Sequence, residues 1–215
     1  MDQHLLFLIN RSWTSPWLDS VMAAASSWDL WWPVLILPAV LVALFGGFRG
    51  RAFLLVAGLA VGISDGVVVR TLKDVVGRPR PHEMLEGVRT LDLAKASPRF
   101  LAVTLPVTED FSEARILPPT GKSFPSGHAT NNFAAATVCA VFFRRFGWVL
   151  FLPAAIVAYS RVYVGSHWPL DVTASALLGI AIALFVCAAA EAIWRKFSPR
   201  WVPKLSQAHP GLIEP

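Results

Sequence analysis

The sequence predicts an all-α fold, a polytopic membrane helical bundle that forms a single domain over residues 1–215. Three observations predict it. The chain is 55% hydrophobic and only 15% charged, against about 25% charged residues in soluble domains. Five apolar runs approach the ~20 residues that cross a hydrocarbon core. The third is how charge is placed. The net charge is +5, but the basic residues lie between apolar runs or beside Pro and Gly and form no continuous stripe. That pattern speaks against nucleic acid and for anionic lipid as the partner. Nine Trp and fourteen Phe suit a chain with interfacial anchors as well as a core.

Residues 1–28 mix Leu5, Leu6, Leu8 and Ile9 with Asn10, Arg11, Ser12 and Pro16. Leu18 to Ala25 could add a short helix. The segment reads as an amphipathic helix pair at the interface or as a poor first span, a partly inserted helix being favoured, or as a sixth helix added to five clear transmembrane helices. No basic n-region with a cleavage site follows Met1, so no cleaved signal peptide is expected. The first clear span covers about residues 30–47, with Trp31 and Trp32 at one mouth. The second runs over about 53–72 and stops at Lys73. Residues 74–125 are polar, contain several prolines and hold half of the 14 acidic residues. A connection of that length is functional or disordered, and Glu109–Glu113 reads as a short helix over the site. Three more spans follow over about 127–143, 148–164 and 170–194, the first ended by Arg144-Arg145 and the last by Arg195-Lys196. The basic tail 195–215 is expected to carry little structure. Cys139 and Cys187 both fall in spans, so no disulfide framework is implied.

Orientation follows from charge. The turn 48–52, the turn 144–146 and the segment 195–204 carry Arg and Lys without acids. They share one side if the spans alternate, and by the positive-inside rule that side is cytoplasmic. The opposite face then gathers Lys73, Arg80, Ser126, His128, Arg161, His167 and Asp171. Asp65 lies inside the second span, where an unpaired carboxylate is costly. It is expected to face the bundle interior and bond to Thr130, Asn131 or Asn132, with a role in placing a headgroup as the alternative.

The gathered residues permit phosphoryl chemistry. Trp168-Pro169 reads as a helix start, with Asp171 in the first turn. A carboxylate there can accept from one ring nitrogen of His167 and leave the other free to attack. The plain structural account is an interfacial histidine stacked on Trp168, with Asp171 as a helix cap. Ser126 suits an N-cap, Gly127 lets a ligand reach the backbone, and free amides at a helix start favour an anion. His128 in that first turn could protonate a departing oxygen. Lys73, Arg80 and Arg161 match the three equatorial oxygens of a phosphoryl group in flight. Arg78 could do the same, but Pro79 and Pro81 hold the chain extended, so Arg78 and Arg80 are expected to point apart. Asp74 and Asp171 are too few acids for a two-metal site, so no metal and no cofactor is expected.

Lys73-x6-Arg80-Pro81, Pro125-Ser126-Gly127-His128 and Ser160-Arg161-x5-His167-x3-Asp171 together resemble the three-part signature of the type 2 phosphatidic acid phosphatases. That superfamily also includes bacterial acid phosphatases and vanadium haloperoxidases. The signature spans residues 73–171, and the run pattern around it resembles the small bacterial membrane members. The resemblance implies that His167 attacks phosphorus, Asp171 orients it and His128 protonates the leaving group. It implies that Lys73, Arg80, Arg161, Ser126 and Gly127 bind phosphate oxygens. It also implies a lipid phosphate as substrate: phosphatidic acid, phosphatidylglycerol phosphate, undecaprenyl pyrophosphate or lipid A 1-phosphate. A haloperoxidase is disfavoured because the known ones are soluble. A lipid-binding or transport protein on the same fold is disfavoured by the complete His167, Asp171 and His128 set.

Overall fold

The computed structural model describes residues 1–113 and 119–213. The chain is mostly helical. It opens with α1 (Asp2–Phe7), a π turn over Leu8–Ser12, and α2 (Pro16–Ser26), which Ser15 caps by accepting from the Leu18 amide at 3.3 Å. Next come α3 (Trp28–Phe45) and α4 (Gly47–Ile63). α4 continues through a π segment over Ser64–Val69 into α5 (Arg70–Val76). The prolines at 79 and 81 then bar further helix, and only the short α6 (Pro81–Met84) follows. After the long connection come α7 (Gly127–Phe142), α8 (Phe151–Tyr163), α9 (Pro169–Trp201) and α10 (Pro203–Ala208).

Trp28–Phe45, the run that starts at Gly47, and Pro169–Trp201 are each long and apolar enough to cross a bilayer. Gly147–Tyr163 is apolar but shorter. The chain is thus an integral membrane protein. α7 is its axis, packed against α4, α8 and α9. Small residues allow that packing: Ala129, Ala134 and Ala136 are buried in α7, and Gly179 of α9 lies against its backbone. A Cβ at Gly179 would sit 2.2 Å from the Thr130 carbonyl oxygen. Small residues at such crossings replace the hydrophobic drive that lipid removes.

The buried side chains form two main clusters. One holds Leu6, Ile9, Met22, Val162, Tyr163 and Trp168 near the start of α9. The other holds Val56, Val138, Phe142, Val186, Leu212 and Ile213 toward the opposite end.

Three expectations need correction. First, a single partly inserted helix over residues 1–28 is corrected: the segment forms a pair of short helical pieces packed on protein, the other reading of its sequence. Asn10 is fully buried, donates to the carbonyls of Arg89 and Tyr163 at 2.7 Å each, and accepts from the Arg89 amide. A buried amide must be satisfied, and here long-range partners do it. Gly165 belongs to the same contact: its φ is +72°, and a Cβ would meet the Arg89 carbonyl oxygen. Second, Glu109–Phe111 belong to a strand, not a helix. β1 (Arg89–Asp92) and β2 (Thr108–Phe111) pair antiparallel, with Arg89 opposite Phe111. Third, the C-terminal segment is ordered. Glu191 accepts the amides of Leu212 and Ile213, and the His209 ring stacks on Phe48 at 4.2 Å. Several of its partners lie 21 or more residues away, so composition alone could not reveal them.

Candidate active site

His167 lies in the turn between α8 and α9 and is 3% exposed. Its Nδ1 donates to the Ser123 carbonyl at 2.6 Å, and Nε2 has no hydrogen bond among the described residues. The ring is therefore held in the tautomer that leaves Nε2 nucleophilic. The expected partner was Asp171, and this is corrected: Asp171 acts one residue removed. Its Oδ2 accepts from Ser123 Oγ at 2.7 Å, and its Oδ1 pairs with Arg78. Ser123 is fully buried, with its amide bonded to the Arg78 carbonyl at 2.6 Å. The strand of chain around Ser123 thus runs between the imidazole and the carboxylate.

Arg78 and Arg80 do point apart, as the intervening proline implied. Arg78 bridges Asp171 and Asp2 and stacks over the Trp168 ring at 5.0 Å. Asp2 also accepts the Leu170 amide at the start of α9. Arg80 turns to the site instead. Its stem lies against Gly121, and its backbone amide donates to Glu83 at 3.1 Å. Glu83 is buried and accepts from the Thr120 and Gly121 amides and the Thr120 hydroxyl. One carboxylate so fixes the loop that walls Arg80.

The helix start at Ser126 is pinned from α9. The Ser126 amide donates to Ser175 Oγ at 2.8 Å, and Ser175 in turn donates to the Asp171 carbonyl. Arg161, near the end of α8, is held by the carbonyl and hydroxyl of Ser26. His128 lies within electrostatic reach of Arg161, Lys73, Asp65 and Arg80, and His167 within reach of Arg161, Arg80 and Lys73. The sequence-derived residues therefore converge. Asp65 accepts from Asn131 at 3.2 Å, as expected, and Ser64 donates to the same Asn131. The π segment turns both residues toward α7, and such segments recur at functional sites. Asp65 faces α7 in this way and remains exposed.

Among the described residues, three polar atoms here are buried without a partner: Arg80 Nε, Arg161 Nε and Ser126 Oγ. Buried donors left unsatisfied cost about 1–3 kcal/mol each, so such a cluster is organised for a ligand with many acceptor oxygens. Around it, burial first and the Arg161 charge second hold the His167 ring well below the ordinary histidine range. The ring is neutral at neutral pH. Among the described residues no three His, Cys, Asp or Glu side chains converge as metal ligands.

The family model for the PAP2 superfamily matches residues 51–195. The chain belongs to the PAP2 superfamily. Its relatives in that family include the undecaprenyl-diphosphatase BcrC of Bacillus subtilis, 30% identical over 77% of this chain and 71% of that protein. An undecaprenyl-diphosphatase of Sulfolobus acidocaldarius is 48% identical over 28% of this chain, and the match spans 30% of that relative's length. Among solved structures, Aquifex aeolicus LpxE superposes with a TM-score of 0.61 at 26% identity, covering 86% of this chain and 93% of that one. This member carries supporting residues that sequence reasoning missed: Ser123, Glu83, Ser175, Ser26 and Asp2. Their only sequence signal is proximity to motif residues, and for Asp2 and Ser26 not even that.

Proposed function

We propose that this chain is a membrane lipid phosphatase that works through a phosphohistidine on His167. The observation that carries the reading is the set of buried atoms without a partner among the described residues, Arg80 Nε, Arg161 Nε and Ser126 Oγ, beside a neutral histidine whose Nε2 makes no hydrogen bond among those residues. Lys73, Arg80, Arg161, Ser126 and the Gly127 amide bind the phosphoryl oxygens and gain most when charge spreads over them in flight. His167 Nε2 attacks phosphorus, and the bond to the leaving oxygen breaks as His128 gives that oxygen its proton. Water then cleaves the P–N bond with His128 as base. Asp171 and Ser123 hold the ring and its developing charge.

The substrate class is a lipid phosphomonoester or pyrophosphate, with undecaprenyl pyrophosphate, lipid A phosphate, phosphatidic acid and phosphatidylglycerol phosphate as its members. The reaction needs no metal or other cofactor, because the arginines already supply the positive charge. Activity should therefore survive EDTA. The five helical runs near 28–45, 47–76, 127–142, 147–163 and 169–201 cross the membrane, and residues 1–26 lie at its surface. The site faces the periplasm or exterior of a bacterial inner membrane, with the C-terminus in the cytoplasm.

Rapid quench with a labelled phosphate substrate tests the mechanism. The expected product is an acid-labile, base-stable adduct on His167, with both adduct and turnover lost in His167→Ala. An adduct on Ser126, or sustained turnover by His167→Ala, would overturn it.

A further inference from the structure

A cavity of about 770 Å³ opens between α2, α3, α8 and the start of α7, with His128 in its lining. Its walls are almost wholly apolar. α2 contributes Trp17 and Ser20, α3 contributes Trp31, α8 contributes Val157, and the 3-10 turn over Arg99–Thr104 lays Phe100 across it. His128 forms part of the wall, so the cavity and the site meet at one side chain. Many of its walls come from residues 17–35, outside the stretch 51–195 that the PAP2 model matches.

We propose that this cavity holds the hydrocarbon chain of the lipid phosphate whose phosphorus His167 attacks, and that the N-terminal segment determines which chains fit. The inference rests on the phosphatase reading above. In-line attack by His167 expels the leaving oxygen on the far side of phosphorus, where His128 protonates it. That oxygen carries the lipid, so the chain must start beside His128, where the cavity starts. The occupant is the substrate's own chain rather than a bystander lipid, because a bystander would have no reason to abut the proton donor.

Two further observations join the N-terminal wall to the chemistry. Ser26, the last residue of α2, holds the Arg161 guanidinium with its hydroxyl and carbonyl. Trp31 donates to the Ala24 carbonyl at 2.8 Å, which ties α3 to the same end of α2. The cavity wall and an oxygen-binding arginine therefore share one short helix. A chain that enters from the bilayer gains no hydrophobic energy, since lipid tails are as apolar as the wall. The cavity must select by shape and contact, and its effect belongs in chain preference.

The test uses the full chain in mixed micelles with two substrate pairs, each matched in headgroup. One pair is dioctanoyl and dipalmitoyl phosphatidic acid; the other is farnesyl and undecaprenyl diphosphate. Ser20→Trp and Val157→Trp fill the cavity from α2 and from α8. In either variant the long-to-short ratio of kcat/KM is expected to fall about 5- to 150-fold, through KM, the equivalent of the roughly 1–3 kcal/mol that overpacking costs. Short-chain turnover reports that the variant is folded. An unchanged ratio with short-chain turnover intact overturns the tail assignment and leaves a bystander lipid as the occupant. Loss of turnover on both chain lengths in both variants makes the walls structural and overturns it as well. If wild-type protein releases phosphate from neither pair, nor from lipid A phosphate or phosphatidylglycerol phosphate, the phosphatase reading fails, and the tail assignment falls with it.

Discussion

His167 owes its state to its neighbours. Its ring donates to a backbone carbonyl, and that contact survives any side-chain change at position 123. Burial, then the Arg161 charge, disfavour the imidazolium. The sign follows directly: a depressed pKa keeps the ring neutral as pH falls, so the acidic limb of kcat/KM should lie below the ordinary value of about 6.5. Arg161→Gln removes the second cause and should move that limb to higher pH, whatever rate is lost; a limb that stays put would deny Arg161 any field at His167. Asp171 is 2% exposed and has two side-chain partners, Ser123 and Arg78. Arg78→Ala should destabilise the protein by about 1.5–3 kcal/mol, the worth of a hydrogen bond to a charged group, read by thermal unfolding in detergent. Asp171→Asn should slow turnover by roughly 10²-fold, less than removal of an acid in direct contact with its histidine, because the Ser123 carbonyl still holds the ring. A loss equal to that of His167→Ala would mean the carboxylate is more than a support.

Helix pairing sets the distance between the reacting groups. His128 sits in the first turn of α7, and His167 just before the first turn of α9. These two helices close on each other at Gly179, where the Thr130 carbonyl leaves no room for a Cβ. Gly179→Leu should push them apart at a cost of about 1–3 kcal/mol, visible as a lower unfolding temperature. Turnover should fall with it, since the acid and the nucleophile would no longer share one phosphorus. A stable Gly179→Leu protein with full activity would show that the crossing does not position the site. Another element-scale device is the pin from Ser175 to Ser126, which fixes the α7 start against α9.

At the scale of the whole molecule, charge and site lie at opposite ends. Arg49, Arg51, Arg144 and Arg145 cluster at the turns far from His167. The proposed orientation, by the positive-inside rule, puts the site outside the cytoplasm. In a protein whose Cys139 and Cys187 are replaced, a membrane-impermeant thiol reagent should label Ser97→Cys in intact cells and leave Lys204→Cys unlabelled. The reverse pattern would invert the topology. The N-terminal segment adds a buried polar network to this frame: Arg89 pairs with Asp19 at 2.7 Å, and the Tyr163 hydroxyl donates to the same carboxylate at 2.6 Å. It clamps residues 1–26 onto the site face and so forms a wall of the cavity.

The sequence alone determined the membrane class, the apolar runs and the residues gathered on one face. These depend on local composition, on period and on the alternation of spans, all of which a linear chain displays. Lys73, Arg80, Ser126, His128, Arg161, His167 and Asp171 were legible for that reason. The tertiary structure decided what lies between them. Asp171 reaches His167 through Ser123 because chain from 44 residues away threads between the two. Asp2 braces Arg78 across 76 residues, and Ser26 holds Arg161 across 135. A serine or a carboxylate carries no mark of such a partner, since one polar atom is satisfied by any donor or acceptor that the fold brings to it. The ordered C-terminal segment and the β-hairpin escaped for the same reason: their stability comes from contacts beyond their own residues, so the tail reads as unstructured and Glu109–Glu113 as a short helix.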